Sequence, residues 1–166
     1  MRKTLHICMV YLIAIAFACS AVAQDRTAEL RSHFTHESDP IRKAKLLPDL
    51  GEAEFVQIRK DAGDGNLNKA LTLLQEYRDE AQSCAKGLDA TAANAEKHSS
   101  GFKQLQISLQ ESLRRLDTLL VSMTTDEQAP FLDVRKDLDD MDRHVLEQLF
   151  PRRVPEKAAQ PESQEK

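Results

Sequence analysis

The stretch FKQLQISLQESLRRLDTLLVSM, residues 102–123, decides the fold class of this chain. Its apolar residues fall at Phe102, Leu105, Leu109, Leu113 (beside Ser112), Leu116, Leu120 and Met123, three or four apart throughout. A helix gathers that spacing onto one side, whereas a half-buried strand needs alternation. Ile107 and Leu119 are expected to widen the stripe. A stripe of this kind suits a helix embedded in a bundle.

The same rhythm extends in both directions. Upstream of Ser100-Gly101, Leu67, Ala70, Leu74, Tyr77, Ala81, Cys84 and Leu88 repeat it, with Ala92 and Ala95 as a weak continuation. Gly87 either ends this element or tolerates close packing, and Ala90 to Ser100 is expected to be the least firmly packed part of the middle. Ala62-Gly63-Asp64-Gly65-Asn66 is a turn, since its glycines accept left-handed backbone values. Before it, Ile41, Ala44 and Leu47 form one helical pattern and Phe55, Ile58 and Ala62 another. Pro48 is expected to interrupt or kink the helix between them, with Leu50-Gly51 making the break real. Asp39 can cap this helix and Pro40 suits its first position. Ala28 to Glu37, with Leu30 and Phe34 on one face, predicts a short first helix. Downstream, Thr124-Thr125-Asp126 breaks the rhythm and Pro130 stands near the next start. Phe131, Val134, Leu138, Met141, Val145 and Leu149 mark a last helix that Pro151 ends. The expectation is an all-α antiparallel helical bundle of four main helices plus a short N-terminal one. The heptad-like rhythm also permits a long coiled-coil-like hairpin, so monomer and homodimer both stay open.

Composition agrees. The 166 residues include no Trp, 5 Gly and 6 Pro, and Leu, Ala, Glu, Gln, Lys and Arg are abundant, all of which favours helix. The first 23 residues have a separate meaning. Arg2 and Lys3 precede an apolar run from Ile7 to Ala18, and Ala21-Val22-Ala23 offers the small side chains of a signal-peptidase site. The run is short of the roughly 20 residues that span a bilayer. The organisation predicted is a secretory signal over 1–23, a helical domain over 24–150 and a disordered tail over 151–166. The mature protein would be exported, periplasmic or extracellular. Ala16-Phe17-Ala18-Cys19 resembles the lipobox of bacterial lipoproteins, and its alternative implication is a membrane tether through Cys19.

Removing Arg2 and Lys3 takes the formal net charge from -4 to about -6, which repels nucleic acid and anionic lipid rather than gathering them. Cleavage would also leave Cys84 as the lone thiol, expected to be buried as a small apolar residue.

Candidate chemistry is thin. His33 and His36, near Glu37 and Asp39, share a helix face but supply two metal ligands, and His98 and His144 are distant in sequence. Asp133, Asp137, Asp139, Asp140 and Asp142 crowd the last helix. Arg135, Lys136 and Arg143 are interleaved, which reads as a hydrated, partly neutralised face. Met123, Met141 and His144 could suggest haem, but no C-x-x-C-H accompanies them and both methionines fit the core rhythm. The nucleophile-elbow, zinc-protease, P-loop and dinucleotide motifs do not occur. No catalytic residue, cofactor or metal ligand is therefore assigned.

Gly65-Asn66-Leu67-Asn68-Lys69-Ala70-Leu71, followed by Leu74 and Tyr77, resembles part of a tetratricopeptide hairpin, with Glu54 to Ala62 as its first helix. Ile58 stands where that family has a small residue, and no second copy follows at the family period of about 34 residues. The resemblance implies a helical surface for a protein partner, here Phe55, Ile58, Leu71 and Leu74. More broadly the chain resembles small exported helical proteins of bacteria that lack an assigned role. The expected function is a non-enzymatic interaction or accessory factor in the cell envelope. The alternative is a small-ligand or metal-binding periplasmic protein.

Overall fold

The computed structural model describes residues 26–91, 95 and 99–151, and within them five helices and no strand form. The first, α1, covers residues 26–36. It is followed by α2 (Pro40–Gly63), α3 (Leu67–Ala90), α4 (Ser99–Leu120) and α5 (Thr125–Leu149). Residues 1–23, where the signal is expected, with Cys19, and the tail from residue 152 lie outside the described residues.

Asp39 and Pro40 start α2 as their chemistry predicts. Asp39 Oδ1 accepts the Arg42 amide at 2.8 Å, and Pro40 occupies the first turn. The expected break at Pro48-Leu50-Gly51 does not occur, because α2 runs through all three positions. Pro48 deprives the Ala44 carbonyl of its intrahelical donor, a loss of about 3 kcal/mol in an exposed helix. Ala44, Leu47 and Leu50 are fully buried around it, and this packing holds the helix together. Gly51 is present for proximity rather than flexibility. A Cβ there would lie 2.8 Å from Cε2 of Tyr77, so the tyrosine ring rests on the bare backbone of α2.

The turn into α3 uses Gly65 at φ +79°. Asp61 fastens it from inside: its carbonyl accepts the Asn66 amide at 2.8 Å, and its carboxylate accepts Lys69 Nζ and Gln57 Nε2, each at 2.9 Å. Gly87 does not end α3, and a Cβ there would meet Cβ of Pro40 at 3.4 Å, an ordinary contact. In α4 the core position near 112 belongs to Ser112, while Leu113 is only partly buried. Ile107 does not widen the stripe as expected and is 56% exposed. Two positions from Leu105, it points about 200° away around the helix. At the start of α5, the amide and hydroxyl of Thr124 both donate to Glu127 Oε2 at 2.8 Å. Pro130 sits inside the helix, which begins at Thr125.

The helices pair as two hairpins, α2–α3 and α4–α5, each antiparallel. The hairpins stack so that α2 lies beside α4 and α3 beside α5, with α3 and α4 touching across a diagonal. Neighbours across the stack run parallel. Gly101 near the start of α4 packs on Ile41 near the start of α2, while Arg78 and Asp89 along α3 meet Asp137 and His144 in the same order along α5. Phe34 of α1, Phe55, Leu74, Tyr77, Leu109 and Leu138 belong to one continuous core. Phe55 and Tyr77 meet edge to face at its centre, their ring centroids 5.4 Å apart. Among the described residues no helix is long and apolar enough to cross a membrane.

Candidate functional site

Glu54 falls on the apolar stripe of α2, between Leu47, Leu50 and Gly51 on one side and Ile58 on the other, and has no exposed surface. Glu76 and Glu80, four residues apart, share a face of α3 turned toward it. Arg31, on α1, reaches over all three. Its Nε lies 3.2 Å from Glu54 Oε1 and 3.3 Å from Glu80 Oε1, Nη1 lies 2.8 Å from Glu76 Oε2, and Nη2 also pairs with Glu54 Oε1. The Glu80 side chain is 15% exposed and that of Glu76 is 46% exposed, so hydration falls steeply from Glu76 inward.

One guanidinium thus faces three carboxyls. Glu54 Oε2 and Glu80 Oε2 are buried with no hydrogen-bond donor. Burial, more than any other cause, raises the pKa of both. The hydrogen bond from Arg31 opposes the shift at Glu54, while the charge of Glu54 adds to it at Glu80, which is pushed up to about 8. Beside the cluster, Ser112 Oγ donates to Tyr77 Oη at 2.6 Å across α3 and α4. Burial holds this phenol neutral and pushes the Cys84 thiol up to about 12, so Cys84 is a buried apolar residue here.

Of the residues expected to form an interaction surface, Phe55, Ile58 and Leu74 are fully buried and Leu71 is partly buried. In this fold the first three close the hairpin rather than face a partner. His33 and His36 are exposed, and His36 Nδ1 lies 2.8 Å from the Ser32 carbonyl of its own helix. His144 is elsewhere, 3.2 Å from Asp89, and His98 lies outside the described residues. Among the described residues no group of three His, Cys, Asp or Glu side chains is placed to hold a metal ion. Most of the aspartates of α5 behave as a hydrated face: Asp137 pairs with Arg78, Asp139 with Arg143, and Asp140 with Lys136 and Arg143. Asp142 is the correction. It is 7% exposed, its Oδ1 lacks a partner, and burial raises its pKa against the opposing effect of Gln106 and Gln110.

Sequence reasoning missed Arg31, Glu54 and Glu80. The signal for Glu54 was present: 47, 51, 54, 58 and 61 follow the 3,4 rhythm, so an acid stands where an apolar residue is due. The open surface lies apart from this partly covered cluster. Between α3 and α5 runs a groove of about 430 Å³, with Ala85 and Met141 among its apolar lining and Arg78, Lys86, Asp89 and Asp140 among its charged residues. The chain matches no protein family, no curated protein and no solved structure.

Proposed function

We propose that the protein is an exported helical scaffold that acts by contact with another protein of the cell envelope, not by catalysis. The observation that carries this reading is the burial of most of the perturbed groups away from the open groove, Glu80 alone among the shifted carboxyls of the Arg31 cluster keeping some exposure. Glu54, Tyr77 and Cys84, whose protonation is displaced by burial, have no exposed surface. A substrate cannot reach them while the fold is intact. The α3–α5 groove, by contrast, is open, mixed in charge and backed by apolar side chains. Such a surface suits a polar protein segment better than a small molecule, which binds in more enclosed and apolar sites. This groove replaces the buried Phe55, Ile58 and Leu74 as the face on which a partner would rest. The export part of the reading is supported by the signal-like residues 1–23.

Photo-crosslinking in intact cells tests the reading. A photoreactive residue at Gln82 or Lys86, in the groove, is expected to give one discrete protein adduct that is missing when the probe is at Lys103 on α4. Adducts that do not differ between these positions, or none from the groove, would sink it. The intact mass of the recovered protein should correspond to a chain starting at Gln24; a retained N-terminus would reject the export part alone.

A further inference from the structure

The first helix is a cover with little apolar grip. Phe34 is buried and Leu30 is packed at the core margin, with Lys43 Nζ 4.7 Å from the Phe34 ring centroid. A helix this short is not stable alone, so it depends on what lies beneath it. Beneath it is the cluster formed by Arg31 of α1, Glu54 of α2, and Glu76 and Glu80 of α3. The neighbouring Tyr77 phenol, bonded to Ser112 of α4, and the Cys84 thiol on α3 stay neutral. No other cation is paired with these carboxyls among the described residues. If all three were ionised, Arg31 would leave a net negative charge on a cluster whose inner two carboxyls are largely shielded from water. Glu54 Oε2 and Glu80 Oε2 would also be sealed in without a donor. A single proton between the two carboxyls removes both problems, because it makes one oxygen a donor and abolishes one of two like charges.

We infer that Glu54 and Glu80 share one proton while α1 is docked, and that loss of this proton to solvent lifts α1 off the α2–α3 hairpin. The coupling follows from solvation. Docked, the pair is largely shielded from water and retains its proton; undocked, the carboxyls are fully hydrated and ionise near their ordinary values. Whatever favours ionisation therefore favours the open state by the same factor. Arg31 limits the opening but does not prevent it, since one positive charge cannot neutralise two buried carboxylates along with Glu76. The lifted helix would uncover the ring of Phe34 and the apolar surface on which it rests.

Amide hydrogen exchange on the complete chain, corrected for the intrinsic pH dependence of exchange, reads this directly. Between pH 5.5 and pH 8 the opening constant of residues 26–36 is expected to rise by up to about tenfold per pH unit and then level off, as a one-proton linkage requires. Protection of α4 and α5 should not follow it. Glu80→Gln, which keeps a neutral donor at the site, should hold α1 closed at pH 8.5. Glu76→Gln, at the hydrated edge, should keep the wild-type slope. A flat α1 profile in the wild type, an unchanged slope in Glu80→Gln, or equal loss of protection in α1 and α4 would overturn the inference. If Glu80→Gln does not fold, infrared difference spectra of the wild type decide. A buried protonated carboxyl band must be present at pH 6 and disappear together with α1 protection; its absence ends the proposal.

Discussion

Arg31 shows what a single side chain contributes when its partners are buried. Because Glu54 has no exposed surface, removing the guanidinium leaves an uncompensated acid rather than a free one. Arg31→Met, which retains the aliphatic stem, is expected to destabilise the fold by about 2 kcal/mol in urea denaturation at pH 7. That is below the roughly 3–5 kcal/mol of a fully buried pair, because the arginine is one-third exposed and the acids can take up a proton. The double change Arg31→Met/Glu54→Leu should recover much of the loss, since an apolar pair needs no compensation. Equal instability of the single and double variants would mean that packing of Arg31, and not its charge, holds the site. The cluster was half legible in the sequence. Glu54 and Asp142 each occupy a stripe position, as does Asp61, and an acid on an apolar stripe signals an interior partner. Which partner it finds is a matter of tertiary placement, and nothing near Arg31 in sequence points to α2 or α3.

At the level of elements, two glycines within helices separate proximity from flexibility. Gly→Ala in a helix interior ordinarily gains about 1 kcal/mol. At Gly51 the new methyl would sit 2.8 Å from the Tyr77 ring, itself fixed by Phe55 and Ser112, so overpacking of about 1–3 kcal/mol outweighs the gain. At Gly87 the Pro40 carbons stand at 3.4 and 3.6 Å, an ordinary contact, and the gain of roughly 0.5–1 kcal/mol should survive. Thermal denaturation is expected to show Gly51→Ala melting below the wild type and Gly87→Ala above it. A shift of the same sign in both would remove the distinction. The elements themselves were readable because a 3,4 stripe is a local property of the chain. The continuity of α2 through Pro48 was not, because it depends on Leu47 and Leu50 being gripped by other helices.

For the whole molecule, the buried acids set the direction of pH dependence. The pKa values of Glu54, Glu80 and Asp142 are raised on folding, so the stability they allow is complete below the ordinary carboxyl range and is lost as pH rises, for Glu80 until about 8. Asp61 acts oppositely. Burial would raise its pKa, but the hydrogen bonds from Gln57 and Lys69 prevail and lower it, so its contribution is lost only on acidification. The melting temperature is therefore expected to peak near pH 5 and fall by roughly 5 °C toward pH 8, with Glu80→Gln flattening the alkaline side. A maximum at or above pH 8 in calorimetry would contradict this balance.

The parallel stacking of the two hairpins has a consequence for how the chain can be divided. Each hairpin brings its own turn and its own antiparallel contact, and the chain passes from one to the other through residues 91–98, of which Ala95 is buried against the core. Most of what specifies the stack is thus carried in the facing sides of the two halves. Two polypeptides, divided within 91–98, should recognise each other on mixing and migrate as one species in size-exclusion chromatography. In that sense the bundle is an intramolecular heterodimer, its two halves held at high effective concentration by being one chain.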